Sequence, residues 1–155
     1  MDQPSAAPLR LCVRRTTEPG ATTSVSLQLP ADVRCVEEAV ELMVRHCFAG
    51  GSPSRRTSFR LRVLLTEAIS NSILFGARGD PARRVRVQAA LTEEHIRLEV
   101  TDDGPGFDPD NVPDPTLPDK VVRSIGRGLF LIKNLADRVE FNDQGNTIWM
   151  TLPRS

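Results

Sequence analysis

The stretch VTDDGPGFDP, Val100 to Pro109, sets carboxylates and two glycines at the end of an apolar, β-branched run. Upstream, RRVRVQAALTEEHIRLEVTDD alternates Val85 with Val87 and, past the polar TEEH, Ile96 with Leu98 and Val100. Period-two alternation on both sides of a short polar break predicts a hairpin. Asp102 then ends the second strand, and Gly104 and Gly106 allow close approaches that a Cβ hinders. A carboxylate at a strand end accepts a donor such as an exocyclic amine, and a glycine loop makes room for a flat ring above it. Taken alone, DGPG is equally an ordinary turn.

Working outward from this hairpin, SVSLQLP alternates Val25, Leu27 and Leu29 as a half-buried strand does. In ADVRCVEEAVELMVRHC, Val33, Val36, Val40, Met43, Val44 and Cys47 recur at helical spacing, with Asp32 as the cap. A second helix is predicted from near Ser54 through FRLRVLLTEAISNSILFG, with Leu61, Leu64, Leu65, Ala68 and Phe75 on one stripe and Gly76 and Gly79 at its end. From Phe107 to Ile125 four prolines sit among Asp, Asn and Thr, which predicts a long loop of the kind that serves as a functional lid. GLFLIKNLADRVEF follows as a predicted helix with Leu129, Ile132, Leu135, Ala136 and Val139 inward, and NTIWMTLP as a last strand. Residues 1–24 lack a sustained period and are expected to be a flexible N-terminal segment, with 25–155 as one domain. This order predicts an α+β fold, a two-layer α/β sandwich whose mixed, mostly antiparallel sheet carries its helices on one face.

Composition narrows the function classes. With 20 Lys and Arg against 20 Asp and Glu, the 155-residue chain has a formal charge of zero, so no bulk attraction to nucleic acid or a membrane surface is expected. Cys12, Cys35 and Cys47 form no CxxC pair, and no apolar run approaches the roughly 18 residues of a membrane span. Without a secretory segment, a reducing cytoplasm is the expected location.

Two further motifs carry chemistry. Glu67 and Asn71 in TEAISNS are one helical turn apart at the rim of the apolar stripe, where they can serve a metal and a nucleophile or be a plain solvated pair. Gly126-Arg127-Gly128 precedes the last predicted helix, where free N–H groups and permissive glycines suit phosphate. No Lys-Ser or Lys-Thr follows these glycines, so the segment is not a Walker loop, and the third spaced glycine of a dinucleotide fingerprint is missing.

In combination, ExxxN on a helix, DxGxG after a strand, a Pro-rich lid and GxG at a helix resemble the GHKL ATPases, whose ATP-binding unit is the Bergerat fold. Within that superfamily LLTEAISNS, VTDDGPGFDP, GRGLFLIKNLADRVEF and GNTIWMTLP are similar to the boxes and final strand of bacterial anti-sigma-factor serine kinases of the RsbW type. The resemblance implies a protein serine/threonine kinase that uses ATP and Mg²⁺. Its substrate would be an antagonist protein of STAS type, it would sequester a sigma factor, and it would form a homodimer. The alternative is a nucleotide-gated binding switch with negligible turnover. By resemblance Glu67 serves the attacking hydroxyl and Asn71 holds Mg²⁺. Asp102 receives the adenine amine with support from Thr147, directly or through water, and Gly104 and Gly106 shape the adenine floor. Gly126, Arg127, Gly128 and Leu129 wrap the nucleotide, and Lys120 and Arg123 add lid charge. One departure stands out: the group's NAxxHG is NSILFG here, with Ser72 for alanine and Phe75 for histidine. His46 and His95 lack a phosphoacceptor context, which disfavours an autophosphorylating histidine kinase.

Overall fold

Strands β1 (Val13–Thr17), β2 (Thr23–Pro30), β3 (Arg84–Leu91), β4 (His95–Asp102), β5 (Arg138–Phe141) and β6 (Thr147–Pro153) form one sheet in the order β1-β2-β3-β4-β6-β5. The structure, a computed structural model, describes residues 11–18, 22–48, 51, 53–104 and 120–154, with backbone alone for 120–126. All of the sheet's pairings are antiparallel, so the parallel component of the expected mixed sheet is absent among the described residues.

The alternation seen in sequence becomes a two-faced sheet. Leu27 of β2 pairs with Val87, Val87 with Val100, and Val100 with Ile148, and all four are buried. The residues between them, such as Ser26, Gln88, Arg97 and Trp149, line a groove of about 540 Å³ on the opposite, open face. There the Arg97 guanidinium lies 5.9 Å from the Trp149 ring centroid. Val25 and Leu29, on the apolar side of the β2 alternation, are 0% exposed core residues.

Helices α1 (Val36–Cys47), α2 (Arg55–Asn71) and α3 (Lys120–Leu135) form the second layer, with α2 packed against both α1 and α3. Asp32 accepts the Arg34 N–H at 2.9 Å and starts a 3₁₀ turn, Val33–Cys35, that leads into α1. Ser54 Oγ accepts the Thr57 N–H at 3.1 Å and caps α2. Leu61, Leu64, Leu65 and Ala68 are buried along α2 as its period requires. Past Asn71 the helix widens into a π turn, Ser72–Gly76. Cys35 and Cys47 are buried thiols, and burial pushes Cys47 up to about 12, far from a reactive thiolate.

Three expectations are corrected. Strand β1 lies within the segment expected to be flexible, held by pairing from Val13–Leu27 to Thr17–Thr23. Helix α3 starts at Lys120, so residues 120–125 belong to a helix and not to the loop; the rest of the expected lid, 107–119, lies outside the described residues. The reason is visible in the sequence, where Val121, Ile125, Leu129 and Ile132 continue one helical period across both glycines. The same helix ends at Leu135, and RVEF forms β5 against β6, with Val139 opposite Met150 and Phe141 opposite Ile148. No described helix is long and apolar enough to cross a membrane.

If the α2 stripe anchors both layers, Leu65→Ala, at a side chain 0% exposed, should cost about 2–5 kcal/mol. Urea unfolding should show a lower midpoint with an unchanged slope. A loss below about 1 kcal/mol would mean that this stripe is not the core contact described.

Candidate functional site

The site is built where the end of β4, the π turn after α2 and helix α3 meet. Asp102 occupies the core parity of β4 after Ile96, Leu98 and Val100, which turns a position that elsewhere holds an aliphatic side chain into a carboxylate that is 3% exposed. Its Oδ1 accepts the Gly104 N–H at 2.7 Å. An ideal Cβ on Gly76 would lie 2.1 Å from Asp102 Oδ2, and one on Gly104 would lie 1.7 Å from the Gly76 carbonyl oxygen. Gly76, Asp102 and Gly104 therefore interlock, and neither glycine position has room for a side chain. Burial pushes the Asp102 carboxyl above its ordinary range, partly offset by the Gly104 N–H, while Asp103 raises it further and Arg83 lowers it.

Glu67 and Asn71 converge on a second point. An ideal Cβ on Gly128 would lie 2.8 Å from Glu67 Oε2 and 3.2 Å from Asn71 Nδ2, so both side-chain ends reach the α3 backbone at the one residue that leaves space for them. Asn71 is buried, and its Nδ2 has no hydrogen-bond partner among the described residues. Leaving such a donor unmade costs about 1–3 kcal/mol, a penalty that a bound acceptor would relieve. Burial raises the Glu67 carboxyl. Between these points Ala68, Asn71, Ser72, Asp102, Leu129 and Asn146 line a cavity of about 20 Å³, the volume of about one water.

The remaining residues of the sequence-derived site are distributed as follows. Leu129 is buried against the cavity, and Arg127 is exposed on α3. Gly126 and Gly128 lie inside α3 and not ahead of it. Lys120 and Arg123 lie in the first turns of α3, and Gly106 lies outside the described residues. Thr147 is buried and lines the same cavity as Asp102. Its hydroxyl pairs with that of Thr101 at 3.0 Å, at the alternate strand position from Asp102.

Asn146, a residue that sequence reasoning passed over, lines the cavity beside Thr147 and bonds the Asp102 backbone. The Asp102 N–H bonds the Asn146 carbonyl at 3.0 Å, and Asn146 Nδ2 donates to the Asp102 carbonyl at 3.3 Å. Asn142 holds this turn by accepting the N–H groups of Asn146 at 3.0 Å and Thr147 at 3.1 Å. The signal was present in the alternation: Ile148, Met150 and Leu152 face the core, so Asn146 and not Thr147 shares their parity. Gly76 was taken only as a helix stop, although its decisive contact is with Asp102.

The buried carboxylate in its glycine cradle offers an acceptor to a ligand amine, and the Asn71 amide oxygen beside the Glu67 carboxylate is the kind of oxygen donor set that a nucleotide's metal takes. The model of the histidine kinase-like ATPase domain matches residues 29–152. The chain is 28% identical over 96 residues to an anti-sigma F factor of Oceanobacillus iheyensis, covering 59% of this chain and 66% of that protein. It is 30% identical over 90 residues to the serine-protein kinase RsbW of the same organism, covering 54% and 57%. It is also 31% identical over 98 residues to a serine-protein kinase RsbW of Listeria monocytogenes, covering 59% and 62%. The chain thus spans about three-fifths of the length of these curated relatives.

The raised Asp102 carboxyl gives a signed prediction. A folded-state value above the unperturbed 3.8 means that its contribution to stability is fully present below that value and is lost as pH rises through the folded value. Asp102→Asn removes the titration. Its melting temperature without nucleotide should gain on the wild type as pH rises from about 4 to 7. Glu67 titrates in both proteins and cancels from the difference. A gap independent of pH would contradict the assignment.

Proposed function

The chain belongs to the histidine kinase-like ATPase family, and on that premise we propose that it is a Mg²⁺-ATP-dependent protein serine/threonine kinase of the cytoplasm. Its substrate in this reading is a small antagonist of STAS type, and its second partner is a sigma factor that it sequesters. The names of the relatives, serine-protein kinase RsbW and anti-sigma F factor, support both halves. The observation that carries the proposal is the convergence of Glu67 and the unpartnered Asn71 amide on Gly128.

Bound Mg²⁺-ATP supplies the transferable γ-phosphoryl group and the charge neutralisation that phosphoryl transfer needs. Asp102 accepts the adenine amine, with the glycine cradle excluding competing side chains. The cavity beside it is suited to a single water linking Asp102 and Asn146 to the ring. Asn71 would hold the metal through its amide oxygen. Glu67 takes the proton of the acceptor hydroxyl as that oxygen bonds to phosphorus and the bond to the ADP oxygen breaks. Burial of Glu67 strengthens it as a base. Arg127 adds positive charge near the phosphates. The N–H groups of Gly126 and Gly128 are engaged in helical bonding within α3, so these glycines serve the phosphates by leaving room for close approach.

A homodimer through the open sheet face belongs to the same reading. The groove of about 540 Å³ there lies on the far side of the sheet from the helices, so pairing leaves the nucleotide site free.

Glu67→Ala should lower phosphotransfer to the antagonist by about 100 to 10,000-fold while leaving nucleotide affinity largely intact. Asn71→Ala should weaken both, because a metal contact already exists in the ground state. Transfer of label from γ-labelled ATP, alongside nucleotide titration, measures the two effects. Full activity of Glu67→Ala would overturn the mechanism, and a wild type that binds ATP and its antagonist without transfer would favour the binding switch.

A further inference from the structure

Helix α2 carries four arginines, Arg55, Arg56, Arg60 and Arg62, against one acidic residue, Glu67. Among the described residues only Arg62 has an ion-pair partner, Glu41 of α1. Ser54 already caps the helix, and the first turn contains Arg55 and Arg56 with no acidic residue. Cations at this end oppose the helix dipole by about 0.3–1 kcal/mol each. Helix stability therefore gives no reason for them.

Phe59 stands one turn further on, 60% exposed. At about 100° per residue it lies at the middle of the solvent face, opposite Leu61, Leu64 and Ala68, with Arg55 and Arg56 to either side. The same outward arc passes Val63 and reaches Glu67 two turns beyond Phe59, about 12 Å along the axis. Phe59 and Phe130 are the two most exposed large apolar side chains described, and both belong to helices that build the site.

We propose that the Arg55, Arg56, Phe59 face of α2 is the docking surface for the phosphoacceptor protein. That partner presents carboxylates to the two arginines and an apolar depression to Phe59, with its accepting hydroxyl about 12 Å from that depression, at Glu67. The commitment to an acidic partner follows from charge complementarity, since the cations have no acidic partner within the described chain. This inference rests on the kinase reading above and adds the recognition that places the hydroxyl.

The test uses the full chain and, as probe, the purified STAS-type antagonist from the source genome that the wild type phosphorylates. The Arg55→Glu/Arg56→Glu double variant and Phe59→Ala are compared with a control reversal on other surfaces, Arg14→Glu/Arg45→Glu. The double variant should raise KM for the antagonist by about tenfold or more, with kcat and ATP affinity within about twofold of wild type. Its defect should shrink as salt screens the wild-type attraction. Phe59→Ala should raise KM by about fivefold or more, and the control should leave it unchanged. An acidic-to-basic reversal on the antagonist should restore affinity for the double variant. Unchanged KM in both α2 variants, or a fall confined to kcat, would overturn the docking surface while leaving the kinase reading intact. A wild type that binds ATP but phosphorylates no antagonist would overturn the kinase reading, and the docking surface would fall with it.

Discussion

The buried carboxylate of Asp102 is the constraint around which the site is organised. A charged group is expensive to bury without partners, yet Asp102 occupies a core position at the end of β4. The Gly104 N–H at 2.7 Å and the closeness of the Gly76 backbone define its surroundings. The fold serves this arrangement from three directions. The β3–β4 hairpin delivers Asp102, the π turn at the end of α2 brings Gly76 down onto it, and the Asn142–Asn146 turn ties β6 to its backbone. A side chain at Gly76 would occupy the space of the carboxylate itself.

Helix α2 joins this floor to the reacting end. Its inward stripe is ordinary core, its rim carries Glu67 and Asn71, and its outward face carries Phe59 flanked by Arg55 and Arg56, which have no ion-pair partner among the described residues. In the proposed reading one helix faces the sheet, the nucleotide and the partner at once. Gly128 of α3 closes the rim, with the ends of Glu67 and Asn71 crowded against the place a Cβ would take.

Much of this was legible in the sequence because short-range physics dictates it. Alternation identified β2, β3, β4 and β6, and the caps Asp32 and Ser54 marked the helix starts. Glu67, Asn71 and Asp102 stand where their patterns placed them, at a helix rim and a strand end. The failures arose where two signals competed. Gly126 and Gly128 suggested a break, but the apolar period from Val121 to Ile132 carries the helix through them despite a cost of about 1 kcal/mol for each glycine. RVEF fits a helical stripe as well as a strand, and pairing with β6 decided the matter. Strand β1 has too few apolar residues to announce itself and depends on β2 for its existence. Asn146 stands in the turn ahead of β6, where strand parity alone points to it.

The central claim is that Asp102 reads the adenine amine, and calorimetric titration tests it most directly. Wild-type protein is titrated with Mg²⁺-ATP and with the purine riboside triphosphate that lacks the 6-amino group. A hydrogen bond to a charged group is worth about 1.5–3 kcal/mol. The account therefore predicts an affinity about 10 to 100-fold weaker for the analogue, with Asp102→Asn losing most of that discrimination. Equal affinity of the wild type for the two nucleotides would contradict it.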